Sequence, residues 1–266
     1  MLQIGDNDSG TLLYSDLNQT VVEHMHAQPE KEIAHYSAFG LSFIKNNTWH
    51  ISLHHHAYEN HQPSGHMHND ALSITLAIHG IPIFIDPGSY IYTPSSRWRN
   101  YFRSASAHNT FFLEHEEPAP FDERLFALEL PEENVRNKPT IKNNVITLSS
   151  EHSLYKRFGL RAQRTLSLDT AQNQLTITDR WLGTTDTPYN ACWNFTLHPA
   201  IEAQYIHDHW QLLHDNKPLV HLQSDELVFE LQDTWVSFGY GSKIKSNCLR
   251  ARKKIDYNKT TLITIA

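Results

Sequence analysis

Four residues carry the densest chemistry in the sequence: His66, His68, Asp86 and His108. They lie in three short motifs, Gly65-His66-Met67-His68-Asn69-Asp70, Ile85-Asp86-Pro87-Gly88-Ser89-Tyr90 and Arg103-Ser104-Ala105-Ser106-Ala107-His108-Asn109-Thr110. Two imidazoles and a carboxylate drawn from three separate segments suit a divalent cation that takes nitrogen and oxygen ligands, with zinc the default. The remaining histidine could then act on a substrate. His66 and His68 are two residues apart, so on an extended segment both side chains point to the same side. A metal ligand and a proton-handling group would then be neighbours.

Strand signals dominate the elements that must position these groups. Residues 38–44 and 48–54 read as a hairpin around Asn46-Asn47. Residues 72–78 and 81–85 follow, split by Gly80 with Pro82 close behind. The runs 164–168 and 174–178 alternate around an Ala-Gln-Asn turn, and 191–197, 210–213, 227–231 and 235–240 repeat the theme. Many short strands at turn-punctuated intervals predict an all-β fold of stacked antiparallel sheets, a β-sandwich or supersandwich with little helix. No long segment keeps apolar residues at i, i+3, i+4 and i+7, so no large helical domain is hidden in it. The stretch 114–138, rich in Glu and Pro, is the best candidate for a long loop. A chain of 266 residues can form one all-β domain, here expected over residues 1–266.

Composition narrows the partners. Lys+Arg 22 against Asp+Glu 29 leaves a formal charge of −7, which argues against a general nucleic-acid or membrane-surface role. A polyanionic ligand would need a local basic patch, and Arg97, Arg99 and Arg103 offer one, with Lys156, Arg157, Arg161 and Arg164 a second. Most of the 19 histidines cannot be ligands. His54-His55-His56 alternates faces on a strand-like run and reads as surface or sheet packing, while His207, His209 and His214 look like hairpin residues. Cys192 and Cys248 permit one disulfide but do not make a framework. There is no basic-then-apolar leader and no apolar run of membrane-spanning length.

The motif residues also carry a family resemblance. The run from Gly65 to Thr110 resembles the signature of the heparinase II/III-like polysaccharide lyases, which reads G-H-x-H-x-D, a hydrophobic strand, a D-x-G-x-Y-x-Y turn and an R-x-Y-F-R-S-x-x-A-H-N-T segment. Here the pieces read GHMHND, LSITLAIHGIPIFIDPGSYIY and RNYFRSASAHNTFFLE, in that order. The opening segment from Gln3 to Gly10 is similar to one in bacterial members linked to surface polysaccharides, and Val236 to Gly241 looks like a late strand of the same domain. The resemblance implies a C-terminal β-sandwich whose usual partner, an N-terminal helical toroid, is missing from this chain. The toroid would be supplied by an upstream domain or a separate chain. The intact protein is then expected in the periplasm or outside a bacterial cell.

Polysaccharide lyases of this kind cleave uronic-acid glycans by β-elimination. A proton leaves C5 beside the carboxylate, and the C4 glycosidic oxygen departs to give an unsaturated sugar. The site must stabilise enolate-like charge and hold a base against a weak carbon acid. The resemblance places the sandwich histidine of this site on His66, with Tyr90 and Tyr92 as further catalytic candidates. It carries zinc-ligand roles onto His68, Asp86 and His108, with Asp70 a candidate outer partner that fixes a histidine tautomer. Three ligands leave one position open, yet elimination needs no metal-activated hydroxide, so the metal is expected to organise the cleft wall.

Trp98, Arg99 and Arg103 are candidates for an acidic polysaccharide substrate, since aromatic faces stack on sugars and Arg forks pair with carboxylates or sulfates. The competing reading makes Trp98 and Phe102 anchors of a short helical turn. Two rival functions stand beside the lyase: a non-catalytic, zinc-stabilised carbohydrate-binding module, and a zinc hydrolase with Asp70 as its only nearby carboxylate base.

Overall fold

The computed structural model describes residues 32–55, 66–121, 128, 134–136 and 139–266. The segments 3–10 and 56–65, with His56 and Gly65, lie outside the described residues, as does much of 114–138. All the pairings are antiparallel and form three sheets, as the strand pattern predicts. The first holds β1 (Ile33–Tyr36), β2 (Leu41–Lys45), β3 (Trp49–His54), β4 (Ile74–Ile78) and β5 (Ile81–Phe84) in chain order. A four-stranded sheet runs β16 (Phe229–Gly239), β17 (Ser242–Lys254), β12 (Asn190–Thr196) and β6 (Phe111–Leu113).

The third sheet has nine strands. Its order begins β13 (Ile201–Ile206), β14 (His209–His214), β15 (Lys217–Gln223), β18 (Thr260–Ile265) and β11 (Gln174–Gly183). It continues through β10 (Leu160–Asp169) and β9 (Val145–His152) to β7 (Asn134–Arg136), with β8 (Thr140–Lys142) also on β9. One helix of note, α1 (Ser96–Arg103), follows the Asp86 motif and starts at Ser95, whose Oγ accepts from Trp98 N. No helix among the described residues is long and apolar enough to cross a membrane.

Burial follows the side-chain period of two. On β10, Leu160, Ala162, Arg164, Leu166 and Leu168 are buried, and on β11 Leu175, Ile177, Asp179 and Trp181 face the same core. Every residue of β4 is buried, so that strand is covered on both faces. One continuous core joins Ile51 and Leu76 of the first sheet, Leu166 and Ile177 of the third, and Phe195 and Leu249 of the second.

Some expectations shift. Residues 37–39 form a single 3-10 turn that Gly40 closes at φ +72°, so β2 starts later than the pattern predicts. The runs 227–231 and 235–240 fall in one strand, β16, apart from residues 227, 228 and 240 at their ends. Cys192 and Cys248 are buried free thiols, not a disulfide.

The second basic patch does not survive. Arg164 sits in the buried row of β10, directly opposite Asp179. Its Nε and Nη2 each donate to an Asp179 oxygen at 2.7 Å, and its Nη1 donates to Leu72 O at 2.9 Å and Asn109 O at 2.8 Å. Trp193 Nε1 on β12 adds a bond to Asp179 Oδ2 at 2.9 Å. Arg161 pairs with Glu151 at 2.6 Å, and Arg157 is held by the carbonyls of Glu117, Pro118 and Leu154.

Removing one partner of a buried pair strands the other charge in low dielectric, at about 3–5 kcal/mol, whereas an exposed pair is worth about 0–1 kcal/mol. Asp179→Ala is therefore expected to lower the unfolding free energy several-fold more than Arg161→Ala in urea titrations. Equal losses would show that Arg164 is not the interior tie.

Candidate functional site

Three segments converge because their own backbones are captured by buried side chains. Asp70 lies in an irregular stretch ahead of β4, and its Oδ2 meets His54 Nδ1 at 2.6 Å. Leu72 then takes a left-handed conformation (φ +62°), its N–H bound to His54 O and its carbonyl to Arg164. Asp86 follows β5 and closes a tight turn, accepting from Gly88 N at 2.8 Å while Gly88 adopts φ +71°. Asn109 Nδ2 donates to Ile74 O and Ile85 O, and its Oδ1 accepts from Thr196 N at 2.6 Å. Thr110 Oγ1 reaches Ala71 O at 2.8 Å. The residues beside His108 thus bond the backbone next to Asp70 and next to Asp86.

A buried donor set results. Asp70, Asp86 and His108 offer donor atoms all within 4.8 Å of one another, so this group could hold a metal ion. His108 is fully buried, with Nδ1 3.3 Å from Asp86 Oδ2 but aligned with no hydrogen bond, and its Nε2 has no hydrogen-bond partner among the described residues. Such orphaned nitrogens are costly in a protein interior. Burial alone would lower the His108 pKa, yet the carboxylates of Asp86, Asp70 and Glu117 outweigh it and raise it. Orphaned imidazole nitrogens facing carboxylates are what a cation would relieve, and the donors fit one. His68 is buried with its ring centroid 5.2 Å from that of His108. Asp70, expected one step further out, contributes to the tight group itself.

Glu117 supports this set from beneath. Its Oε2 accepts from Asn69 Nδ2 at 2.7 Å and from Ala105 N at 2.9 Å, which links the first and third motifs. Asn69 also exchanges bonds with Ala119 and donates from its backbone to Arg103 O. Burial pushes the Glu117 carboxyl up to about 7, against these hydrogen bonds and the nearby His108 and Arg103, which pull it down.

The other candidates line an edge. His66 is exposed in a turn, not on a strand, so the shared strand face with buried His68 is not formed. Asn69 and Asp70 bond instead to distant partners, Glu117 and Ala119 for the one and His54 for the other. The His66 ring meets Tyr92 edge-on at 6.0 Å, and Tyr92 meets Tyr240 at 5.2 Å. Tyr90 packs on Trp98 and Phe102, with Lys243 over its ring.

Of the first basic patch only Arg97 is exposed. Arg99 and Arg103 are buried; both meet Asn100 Oδ1, and Arg103 also lies over Phe121. Trp98 is half-buried, and Phe102 is the core anchor of α1.

His54, Asn69, Asn109, Glu117 and Lys243 play parts that residue type and spacing do not announce. Asn69 and Asn109 alone had a local signal, their places beside His68 and His108.

Glu117 carries a pH signature. A folded pKa raised from 4.5 to about 7 means that its contribution to stability is full below pH 4.5 and lost as pH rises through 7. With chelator present, the unfolding free energy of the protein relative to Glu117→Gln is expected to fall by about 3 kcal/mol across that window. A flat difference would mean the carboxyl titrates normally.

Comparison with known proteins agrees with the geometry. The model of the "Heparinase II/III-like, C-terminal" family matches residues 28–262. Among solved structures, the heparan sulfate lyase HepC from Pedobacter heparinus superposes with a TM-score of 0.74 at 16% identity, covering 100% of this chain and 43% of that one. A heparinase III structure gives 0.75 at 13% identity, with 100% and 44% covered. A 4-alpha-glucanotransferase from Thermococcus litoralis gives 0.53 at 12% identity, with 96% and 44% covered. No curated protein sequence matches the chain. These identities establish a shared fold, and the chain spans less than half the length of the lyases it superposes on. On the family match across most of its length, the chain belongs to the heparinase II/III-like family as a C-terminal domain.

Proposed function

We propose that this domain forms the sandwich side of a polysaccharide lyase site that cleaves uronic-acid glycans by β-elimination, incomplete without a helical toroid. The observation that carries the reading is the split of the Gly65–Thr110 motifs into a rigid buried donor set and an open edge at His66 and Tyr92. Membership of the family supports it, and the lyase names of the relatives suggest a heparan-sulfate-like or other acidic glycan. The shared fold of the glucanotransferase is a reminder that the fold alone does not choose the chemistry. Polymeric substrates of this kind favour a periplasmic or extracellular site of action, in a bacterium.

In the elimination, the C5 proton passes to a base, its electrons form the C4–C5 double bond, and the C4–O bond breaks with protonation of the leaving oxygen. His66 is the accessible imidazole for one of these proton transfers, and Tyr92, the tyrosine in contact with it, is the better placed of the two candidate tyrosines. The toroid would bring the groups that neutralise the carboxylate. Asp86 and His108 would hold a zinc ion, with His68 as third ligand by resemblance and Asp70 by proximity. Bound there, it would supply fixed positive charge that offsets the buried carboxylates and ties the three segments together. Asp86 and His108 keep those segments aligned, and His66 with them.

Catalytic groups act as a unit, so loss of the toroid's members removes nearly all of the rate. The purified chain is expected to give no ultraviolet-absorbing unsaturated product from uronic-acid polysaccharides. Addition of a family toroid should restore turnover, and His66→Ala should abolish it while leaving the melting temperature unchanged, because His66 is exposed. Zinc should raise the melting temperature of the wild type and not of Asp86→Asn. Glycan binding without product even with the toroid would favour the non-catalytic module, and saturated reducing ends a hydrolase.

A further inference from the structure

The hairpin between β16 and β17 turns at Tyr240-Gly241 and is bonded to the Asp86 loop. Gly241 N donates to Tyr90 O at 2.7 Å, Ser237 N to Pro87 O at 2.8 Å, and Ser237 Oγ to Ser89 O at 2.8 Å. Side chains on this turn are therefore registered to Tyr90 and Tyr92. Tyr240 is 53% exposed and extends the aromatic edge that begins at His66 and Tyr92.

Lys243, three residues on from Tyr240, sits in a cage of three rings. Its Nζ lies 4.0 Å from the Trp235 ring centre, 4.4 Å from Trp98 and 5.2 Å from Tyr90. Among the described residues no carboxylate pairs with Lys243, whereas Lys253 and Lys259 meet Glu226 and Asp256 at 2.6 and 2.9 Å. Ring faces attract an ammonium but do not neutralise it. The walls displace water and restrict rotamers, so the charge is held in place and less screened than on a free surface lysine. In a chain of net charge −7, a half-buried, uncompensated cation among half-buried aromatic rings invites an anion.

We infer that Tyr240 and Lys243 form an anion-selecting sugar subsite on the edge that runs from His66 through Tyr92. The Tyr92–Tyr240 pair stacks a sugar ring, and Lys243 takes its carboxylate or sulfate. The inference rests on the lyase reading for a glycan as the ligand. Arg99 and Arg103, the expected anion forks, are buried, so Lys243 takes over that role on this face.

Calorimetric titration of the chain tests it with three probes: an unsulfated glucuronate oligosaccharide, its carboxyl-reduced form, and that reduced form sulfated. Wild type should favour the anionic probes over the neutral one by about tenfold, the worth of one charge-assisted hydrogen bond. A larger gain with the carboxylate or with the sulfate identifies which anion the subsite takes. Lys243→Met should erase the preference and leave neutral binding unchanged, Lys243→Arg should retain it, and Tyr240→Ala should weaken all three probes alike. A lysine that only clips the hairpin would lower the melting temperature in Lys243→Met and leave the preference intact, which overturns the inference. So does a wild type that binds none of the probes or binds all three equally. Elimination with a toroid present and indifferent to Lys243→Met would sink this inference and spare the lyase reading. Anion preference through Lys243 with no elimination would do the reverse.

Discussion

The buried pair of Arg164 and Asp179 is the interaction on which the site depends. Both charges are removed from water, and a guanidinium in that position needs its donors satisfied in full. Two meet the Asp179 carboxylate, and the remaining nitrogen reaches two backbone carbonyls, Leu72 and Asn109. Those carbonyls belong to the segments that carry Asp70 and His108. The nine-stranded sheet thus grips two of the three motif segments through one side chain. Trp193 on the four-stranded sheet completes the carboxylate's shell, so strands of two sheets and the loops flanking the third share one polar knot.

From this knot the remaining order follows by backbone capture. Asn109 spends its amide on Ile74, Ile85 and Thr196, which draws β4, the end of β5 and β12 around His108. Leu72 is driven to positive φ, an uncommon conformation for a residue with a side chain, and its two backbone groups are both satisfied there. The outcome is a dense local field: Asp70, Asp86 and Glu117 around one buried imidazole. Like charges so placed repel one another, and a proton on His108 or Glu117, or a cation among the donors, lowers that repulsion.

Much of this order is legible in the sequence, and the failures have physical causes. The alternation in 164–168 and 174–178 places β10 and β11, and the turn residues place their hairpin. That same alternation puts Arg164 and Asp179 on the apolar stripe, opposite one another. A reading that counts arginines as surface charge passes over it. The three motifs name the donor groups because each includes its own backbone anchor: Asn69, the Gly88 turn, Asn109. Glu117 escapes, since its partners are 12 and 48 residues distant and its setting reads as a polar loop. The period-two rule fails for His66 and His68 because it presumes a strand, and residues 66–70 do not form one. Lys243 is invisible for a similar reason, as its cage is built from the Asp86 loop, α1 and β16.

Interior and edge are held by different means. The donor set is fixed by the same hydrogen bonds that close the core, so its geometry comes with folding. His66, Tyr92 and Tyr240 form a row of rings, 6.0 Å from the first to the second and 5.2 Å from the second to the third, with His66 and Tyr240 exposed. A rigid base with an open rim suits a site completed from outside. Groups held by the core keep their geometry, while exposed side chains on the rim keep a rotamer freedom that any bound ligand would have to restrict.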